Sequence, residues 1–560
     1  MSRSAANRRI VVLAAFFALL LGTTLARAFW LQAVKGAEYA AMAVQQHRET
    51  VVVPAGRGTI VDRNGDPLAI AEQAITVYAN PQQIIHARDV TLVVAKALHL
   101  DPGEVYSLLT DRSKGFVYLE RKADPEKADA LEKKHIPGLG FYPEDKRTYP
   151  QGRVAAQVLG FAGMDNKGLE GLERSLDGSL AGKPGSQTIV KDPAGRALEV
   201  VSTRPETPGS NVRLTIDSQI QAYAQDVLES TVREWGARAA SAIVMDPYTG
   251  AVLAMAVAPG FNANRFATTR VDRHRNRAVT DTYEPGSTFK LVTISAALQD
   301  GIVTPRTSFL LAPTIQVADR VIHEAHDRGT ERLTVRQIVE QSSNIGTVTI
   351  AERLGQGRLA SWIDRFGFGH RTGIDFPGES AGFALPLDEW SGSTIGTVPI
   401  GQGIAVTPLQ MARAYSAIAN GGRLVEPYLV DRIGGRTIEH GHGHRVVSRR
   451  VSDEMLSMLR GVVLEGTGTE AAIPGYTVAG KTGTAAKVDP ATGRYSTSRY
   501  VASFVGMVPA TKPRLVIMAM VDEPHGDIYG GVVAAPAFQQ IARFCLQHLE
   551  VPPDAPTSGR

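Results

Sequence analysis

Three short clusters in this sequence carry residue types that can perform acyl transfer. In Tyr283-Glu284-Pro285-Gly286-Ser287-Thr288-Phe289-Lys290 a serine precedes a lysine by three positions. Pro285 and Gly286 close whatever lies upstream. Phe289, Leu291, Val292, Ile294, Ala296 and Leu298 form an apolar stripe as far as Gly301, so the segment predicts a helix with Ser287 in its first turn. There the unpaired backbone N–H groups and the helix dipole favour developing negative charge. Lys290 lies about 60° around and about 4.5 Å along the helix from Ser287, on the same face. A partly desolvated amine at that place has a lowered proton affinity and can accept the hydroxyl proton. Taken alone, the pair reads just as well as a helix cap followed by a solvated lysine.

The second cluster is Ser342-Ser343-Asn344. Thr334 with Gln337 makes a capping box for a helix carrying Val335, Ile338 and Val339, and a second helical pattern runs from Ile345 to Gly355. Residues two apart on one helix point about 200° apart, so Ser342 and Asn344 can serve one site only from a break between two helices. A polar helix–helix turn accounts for the same residues. The third cluster, Lys481-Thr482-Gly483-Thr484, reads as a strand in which Thr482 and Thr484 share a face. Gly483 there permits close approach of a ligand to the backbone, and Lys481 adds charge to attract a carboxylate.

The elements that must position these clusters are legible around them. Val212 to Ile216 alternates like a strand, and Asp217 is placed to cap a helix beginning at Ser218. Ala242–Asp246 and Ala251–Met255 flank a turn at Pro247 and Gly250 and predict a hairpin. Two further strands are expected at Ala502–Val508 and Leu515–Val521, and a closing helix over about 534–549. Strands at both ends with helices between them predict an α/β sandwich whose sheet joins the two ends of the domain. Upstream, Val51-Val52-Val53-Pro54 begins a region of short strands and turns. Arg57 to Gly65 ends in the Asn64-Gly65 signal of a tight hairpin. Helical patterns follow at about 90–100 and 125–135. Arg204-Pro205-Glu206-Thr207-Pro208-Gly209-Ser210 has the composition of a linker and marks the main boundary.

A chain of 560 residues, 43% hydrophobic and 21% charged, is long enough for two or three packed units. Its 60 basic and 56 acidic residues are dispersed, which argues against a nucleic-acid-binding surface. Cys545 is the sole cysteine, so disulfide frameworks and multi-cysteine metal sites are excluded; it is expected to be a small buried residue of the last helix. Arg3, Arg8 and Arg9 precede a charge-free run of 17 residues from Ile10 to Ala26. Arg27 interrupts, and Phe29-Trp30-Leu31 resumes with aromatics suited to an interface. The run predicts a membrane span with its basic end in the cytoplasm and the rest of the chain outside. Ala26-Arg27-Ala28 also fits a cleavage site, and that alternative exports the same residues.

Ser-x-x-Lys, Ser-x-Asn 55 residues later and Lys-Thr-Gly after another 139 form the ordered triplet of penicillin-binding proteins and serine β-lactamases, which this chain resembles. Further stretches resemble class B penicillin-binding proteins: Arg57–Gly65, Arg147-Thr148-Tyr149-Pro150, Gly168-Leu169-Glu170-Gly171-Leu172-Glu173, and Gly401-Gln402-Gly403 with Val406-Thr407-Pro408-Leu409-Gln410-Met411. Glu284-Pro285-Gly286-Ser287 is similar to the division-specific, septal branch. The resemblance covers about residues 50–545. It implies a multidomain α+β protein: a cytoplasmic tail (1–9), a transmembrane anchor (10–31), an elongated pedestal domain (32–205), a transpeptidase domain with an antiparallel sheet (206–550) and a disordered tail (551–560).

What the resemblance implies for function is a D,D-transpeptidase that cross-links peptidoglycan, anchored in the inner (plasma) membrane by a single pass. Ser287 would attack the penultimate D-alanine carbonyl of a stem peptide and release D-alanine. Lys290 would act as base, and Ser342 with Lys481 would relay the proton. Asn344 would position the substrate, and Thr482, Gly483 and Thr484 would bind it. The backbone N–H groups of Ser287 and Thr484 would form the oxyanion hole. β-Lactams would acylate Ser287. The implied partners are a membrane-embedded glycosyltransferase and division proteins; no cofactor or metal is expected.

Rival readings are weaker. A non-catalytic β-lactam sensor would not need all three motifs intact. A carboxypeptidase or β-lactamase would use the same residues with water as acceptor. Gly475-Tyr476-Thr477-Val478-Ala479-Gly480-Lys481-Thr482 fits the P-loop pattern, and Leu515–Asp522 mimics its magnesium-binding strand, but no strand before or helix after the loop is evident. His323-Glu324-Ala325-His326 lacks the spacing of a zinc helix. His440, His442 and His444, alternating with glycines, read as a solvated loop.

Overall fold

The computed structural model describes residues 3–39, 42, 48–191, 197–489 and 491–555. These separate into two compact units, residues 1–56 with 182–208 and residues 57–181 with 209–560.

In the first unit helix α1 (Arg3–Phe29) continues into a wider π-helical turn at Trp30–Val34. The apolar stretch Asn7–Val34 is 28 residues long, about 42 Å at 1.5 Å per residue. That exceeds the roughly 30 Å of a bilayer core. Arg27 does not interrupt the helix, which runs on through the Phe29-Trp30-Leu31 end of the expected anchor, 10–31, because a lone arginine in an apolar run is a good helix former. Among the described residues its leucines and phenylalanines are exposed, as a helix that anchors a protein in a membrane requires. The same unit holds an antiparallel sheet of β1 (Arg48–Val53), β6 (Gly185–Lys191) and β7 (Ala197–Arg204), in the order β1-β6-β7.

The second unit begins with β2 (Ile60–Val61) and β3 (Pro67–Ala79), joined by the predicted tight turn. Gly65 there takes φ +98°, and the Asp62 carboxylate accepts from the N–H groups of Asn64 and Asp66. Helices α2 (Ala87–Leu98), α3 (Pro102–Thr110) and α4 (Pro125–Glu132) pack on β3, β4 (Val117–Ala123) and β5 (Leu139–Thr148). The sheet does not stop at the expected boundary. β2 pairs in parallel with β8 (Val212–Leu214), so strands from both sides of the linker share one ladder.

Three stretches far apart in sequence converge beside it. Glu173, fully buried, accepts from Arg57 Nε at 2.7 Å and from Arg147 Nε at 2.6 Å. Arg57 Nη1 also reaches Asp177 at 2.7 Å, and Arg147 Nη1 donates to the Gly58 carbonyl. Each motif singled out in the sequence here thus supplies one member of a buried ion cluster.

The catalytic sheet has five antiparallel strands in the order β10-β9-β18-β17-β16: β9 (Ala239–Met245), β10 (Val252–Ala258), β16 (Ala479–Val488), β17 (Tyr495–Val508) and β18 (Leu515–Asp522). Strands β9, β10 and β18 are buried on both faces, which is why they read as unbroken apolar runs. Ala242, Val244, Ile517 and Ala519 pack with Ile220 and Leu228 of α5 (Ser218–Glu234) and with Phe538 and Ile541 of α11 (Ala535–His548). The alternate residues Ile243, Met245, Val516 and Met518 face the other layer. It includes α6 (Lys290–Gln299), α9 (Pro408–Ala419) and α10 (Arg449–Leu464). Cys545 of α11 is buried as expected, and burial raises its thiol pKa.

Between these lie an antiparallel strand pair, β11 (Ser308–Leu311) with β14 (Glu331–Thr334), and, between its strands in sequence, the hairpin of β12 (Thr314–Val317) with β13 (Arg320–His323). Helices α7 (Val335–Glu340) and α8 (Asn344–Leu354) follow. β15 (Val430–Ile433) extends the first sheet by pairing with β8. The tail departs from expectation. Val551 is buried, Asp554 accepts from the Thr477 N–H at 2.7 Å, and Ala555 N donates to the Gly475 carbonyl, so order persists to 555. The rest of the expected disordered tail, 556–560, lies outside the described residues. His440 is likewise more than a loop residue: it stacks on Tyr428 at 3.6 Å and bonds the Val430 carbonyl.

Glu173→Ala leaves Arg147 buried without its ion partner and Arg57 with Asp177 alone. It should lower stability by about 3–5 kcal/mol, read as a shifted denaturation midpoint.

Candidate active site

Pro285 and Gly286 end the preceding segment, and Gly286 takes φ +54°, a conformation that L side chains rarely adopt. The chain then winds as a 3₁₀ turn, Gly286–Phe289, before α6 begins at Lys290. Ser287 therefore stands on the tight turn ahead of the helix rather than in its first α turn. The turn is fixed from below: Thr288 Oγ1 donates to Pro285 O at 2.7 Å and Tyr415 OH donates to Thr288 O at 2.9 Å. A Cβ on Gly286 would stand 2.8 Å from the Thr484 carbonyl oxygen, and one on Gly401 would collide with Gly286. Gly286 N donates to Gly401 O at 3.1 Å. The Gly401-Gln402-Gly403 motif is thus the floor on which the serine turn rests.

The Ser342–Asn344 segment falls at a break between α7 and α8, as two-fold service of one site demands. The capping box of Thr334 and Gln337 is formed. Ser342 takes φ +59° and Ser343 caps α8 through Gly346 N. This turn brings Ser342 and Asn344 to the same amine. Lys290 Nζ lies 2.6 Å from Ser342 O, 2.8 Å from Asn344 Oδ1 and 3.3 Å from Ser342 Oγ. No bond joins Ser287 Oγ to Lys290 Nζ among the described residues; such bonds often tighten only when substrate is present.

On β16, Lys481, Thr482, Gly483 and Thr484 pair with Val505, Phe504, Ser503 and Ala502 of β17. Thr482 and Thr484 face the cleft, as period 2 requires. Thr482 Oγ1 is 2.8 Å from Thr467 Oγ1, and Thr484 Oγ1 accepts from Gly530 N at 3.1 Å. The sequence reading opens Gly483 to a ligand. The structure corrects the reason for this glycine: a Cβ would meet Ser503 Oγ at 2.5 Å, Pro285 O at 2.9 Å and Thr288 Cγ2 at 3.0 Å. The missing side chain admits the serine turn against the strand.

Both lysines are buried. Burial, then the charge of Lys481, holds the Lys290 amine well below its ordinary proton affinity; Glu324 pulls it up and Arg328 down. Burial pushes Lys481 down to about 7. Its Nζ has only long contacts to Thr482 O and Oγ1, at 3.4 and 3.3 Å. Ser287, Ser342, Asn344, Thr482 and Thr484 all line one cleft of about 460 Å³, together with Glu324, Arg328, Gln402 and Tyr529. The P-loop pattern has no counterpart, since Lys481 and Thr482 sit mid-strand in an antiparallel ladder rather than between a strand and a helix.

Sequence reasoning missed Glu324, whose carboxylate grips Ser343 and Asn344, and Thr467 and Gly530, which hold the threonines. Glu324 was visible only inside a rejected metal pattern, and the partners of the threonines carry no local signal.

A serine on a helix-leading turn, a lysine of lowered basicity and a threonine-bearing strand define a serine acyl-transferase site. Comparisons with known proteins agree. The penicillin-binding protein transpeptidase domain matches residues 240–543, and the penicillin-binding protein dimerisation domain matches residues 52–214. Penicillin-binding protein PbpB of Mycobacterium tuberculosis is 37% identical, covering 94% of this chain and 82% of that protein. Peptidoglycan D,D-transpeptidase FtsI of Escherichia coli is 34% identical, covering 98% and 93%. The crystal structure of penicillin-binding protein 3 from Mycobacterium tuberculosis complexed with aztreonam aligns with a TM-score of 0.71 at 33% identity, over 90% of this chain and 99% of that one. The chain belongs to the penicillin-binding protein transpeptidase family.

Gly286→Ala forces a left-handed alanine against Thr484. It should slow acylation by a β-lactam about 10²-fold, the order expected for a small misplacement of a nucleophile, with the rate measured on protein that still melts cooperatively.

Proposed function

We propose that this chain is a membrane-anchored peptidoglycan D,D-transpeptidase acting through an acyl-enzyme on Ser287. The observation that carries the reading is the meeting of three separated motifs on one cleft, with a buried amine between them. Ser287 Oγ attacks the carbonyl carbon of the penultimate D-alanine while its proton passes to Lys290 Nζ, whose lowered basicity leaves it free to accept one. The oxyanion lies between the N–H groups of Ser287 and Thr484. Ser342 and Lys481 relay the proton to the amine of the departing D-alanine as the C–N bond breaks. Asn344 orients the peptide, and Thr482 and Thr484 take the terminal carboxylate, with Gly483 keeping the strand close to the serine turn. An amine of a second stem peptide then attacks the ester, forms the cross-link and restores Ser287.

β-Lactams resemble the D-alanyl-D-alanine end and acylate the same serine. The Glu284-Pro285-Gly286-Ser287 sequence and the similarity to a protein named FtsI support a septal role in cell division. They support partners of the division machinery, among them a membrane-embedded glycosyltransferase. Arg3, Arg8 and Arg9 at the N-terminal end of the helix support a cytoplasmic N-terminus, a single pass through the inner membrane and an extracytoplasmic catalytic domain.

The test is intact mass of the detergent-solubilised chain after benzylpenicillin, for the parent and for Ser287→Ala. An adduct mapped to Ser287 and absent from the variant is expected; no adduct on folded parent sinks the reading, and fast loss of the adduct points to a β-lactamase. The rate should also fall at acid pH. As pH drops, Lys290, held well below its ordinary proton affinity by burial and then by Lys481, takes up a proton and no longer serves as base. Acylation should therefore decline about tenfold per unit along the acidic limb.

A further inference from the structure

The loop after β13 reaches into the site through a residue that the acyl-transfer scheme does not use. Glu324, half-buried, accepts from Ser343 Oγ through Oε1 and from the Asn344 N–H through Oε2 at 2.7 Å. The neighbouring carbonyl of His323 accepts from Asn344 Nδ2 at 3.0 Å. Two consecutive residues of one loop therefore hold both the backbone and the side chain of Asn344. The turn they hold is strained: Ser342 stands at φ +59° without being glycine. That same turn supplies every hydrogen-bond partner of Lys290 Nζ among the described residues: Ser342 O, Ser342 Oγ and Asn344 Oδ1.

We infer that Glu324 is a positioning residue of the acyl transfer, clamping the Ser343–Asn344 turn so that Asn344 Oδ1 and the Ser342 carbonyl stay seated on the Lys290 amine. A carboxylate suits the task because it offers two acceptor oxygens to an O–H and an N–H one residue apart. Glutamine offers one acceptor, and aspartate is a methylene shorter. The charge also lies at the N-terminus of the 11-residue helix α8, where negative charge is favoured.

The clamp has an electrostatic consequence. Three charged groups act on Lys290: Lys481 from β16, and Glu324 and Arg328 from the loop after β13. Lys481 and Arg328 disfavour the ammonium form, and Glu324 favours it. Removing the Glu324 charge leaves both cations unopposed, so Lys290 loses its proton at lower pH and the acidic limb moves down. A structural prop without contact to the reacting network moves no such limb.

The inference rests on Ser287 acylation, and the test separates the two. Second-order acylation of the full-length chain by a fluorescent penicillin is followed across pH for the parent, Glu324→Gln and Glu324→Asp, with melting temperatures alongside. Glu324→Gln should keep the parent's melting temperature within a few degrees, acylate about 10–100-fold more slowly and shift the acidic limb to lower pH. Glu324→Asp, which keeps the charge but not the reach, should slow acylation with the limb in place. Parent rate and parent limb in Glu324→Gln overturn the inference. So does a rate loss that merely follows the folded fraction with the limb unmoved. A parent that forms no adduct instead removes the acyl-serine reading itself.

Discussion

The whole catalytic arrangement hangs on burying two amines beside one hydroxyl. Lys290 and Lys481 are each almost fully removed from water, and each is a cation in its ordinary state. A low-dielectric site tolerates two such charges poorly: burial lowers the proton affinity of both, and the Lys481 charge lowers that of Lys290 further. What would be a defect in a storage protein is here an amine of lowered proton affinity beside the cleft. The surrounding structure exists to keep that state unique. Asn344 and Ser342 give Lys290 oxygen acceptors, and Glu324 stops its proton affinity from falling without limit.

Keeping water out requires the serine turn, the Ser342 turn and strand β16 to touch closely, and glycines set that closeness. Gly286, Gly401 and Gly483 each stand where a Cβ would meet backbone or a packed side chain of a neighbouring element. Behind them β9, β10 and β18 are buried on both faces, and the register of β16 is set by its ladder with β17: a one-residue slip would turn Thr482 and Thr484 away from the cleft. The buried Glu173 cluster does comparable work in residues 57–181, where Arg57 and Arg147 tie strand ends to the segment around Gly168–Asp177.

Much of this was readable locally. The capping box at Thr334, the cap at Asp217, the hairpin at Asn64-Gly65 and the alternation along β16 depend on residues within a few positions of one another, and they formed as read. The misjudged features have the opposite character. The tail beyond 551 was held by Thr477 and Gly475, about 75 positions earlier. The linker-like stretch before β8 did not end the first sheet, since β2 finds its parallel partner across some 150 residues.

By itself the sequence determined the chemistry on offer: a serine and lysine one helical turn apart, a Ser-x-Asn placed at a helix break, and a Lys-Thr-Gly strand with both threonines on one face. Those follow from backbone periodicity and capping, which are properties of neighbouring residues. The tertiary structure decided which atoms meet. It seated Lys290 on a turn 52 positions away, gave Gly483 to the serine turn rather than to open space, and set Glu324 across Ser343 and Asn344. Proton affinity in this cleft is set by burial and by charges from two separate segments, and burial is a property of the packed chain alone.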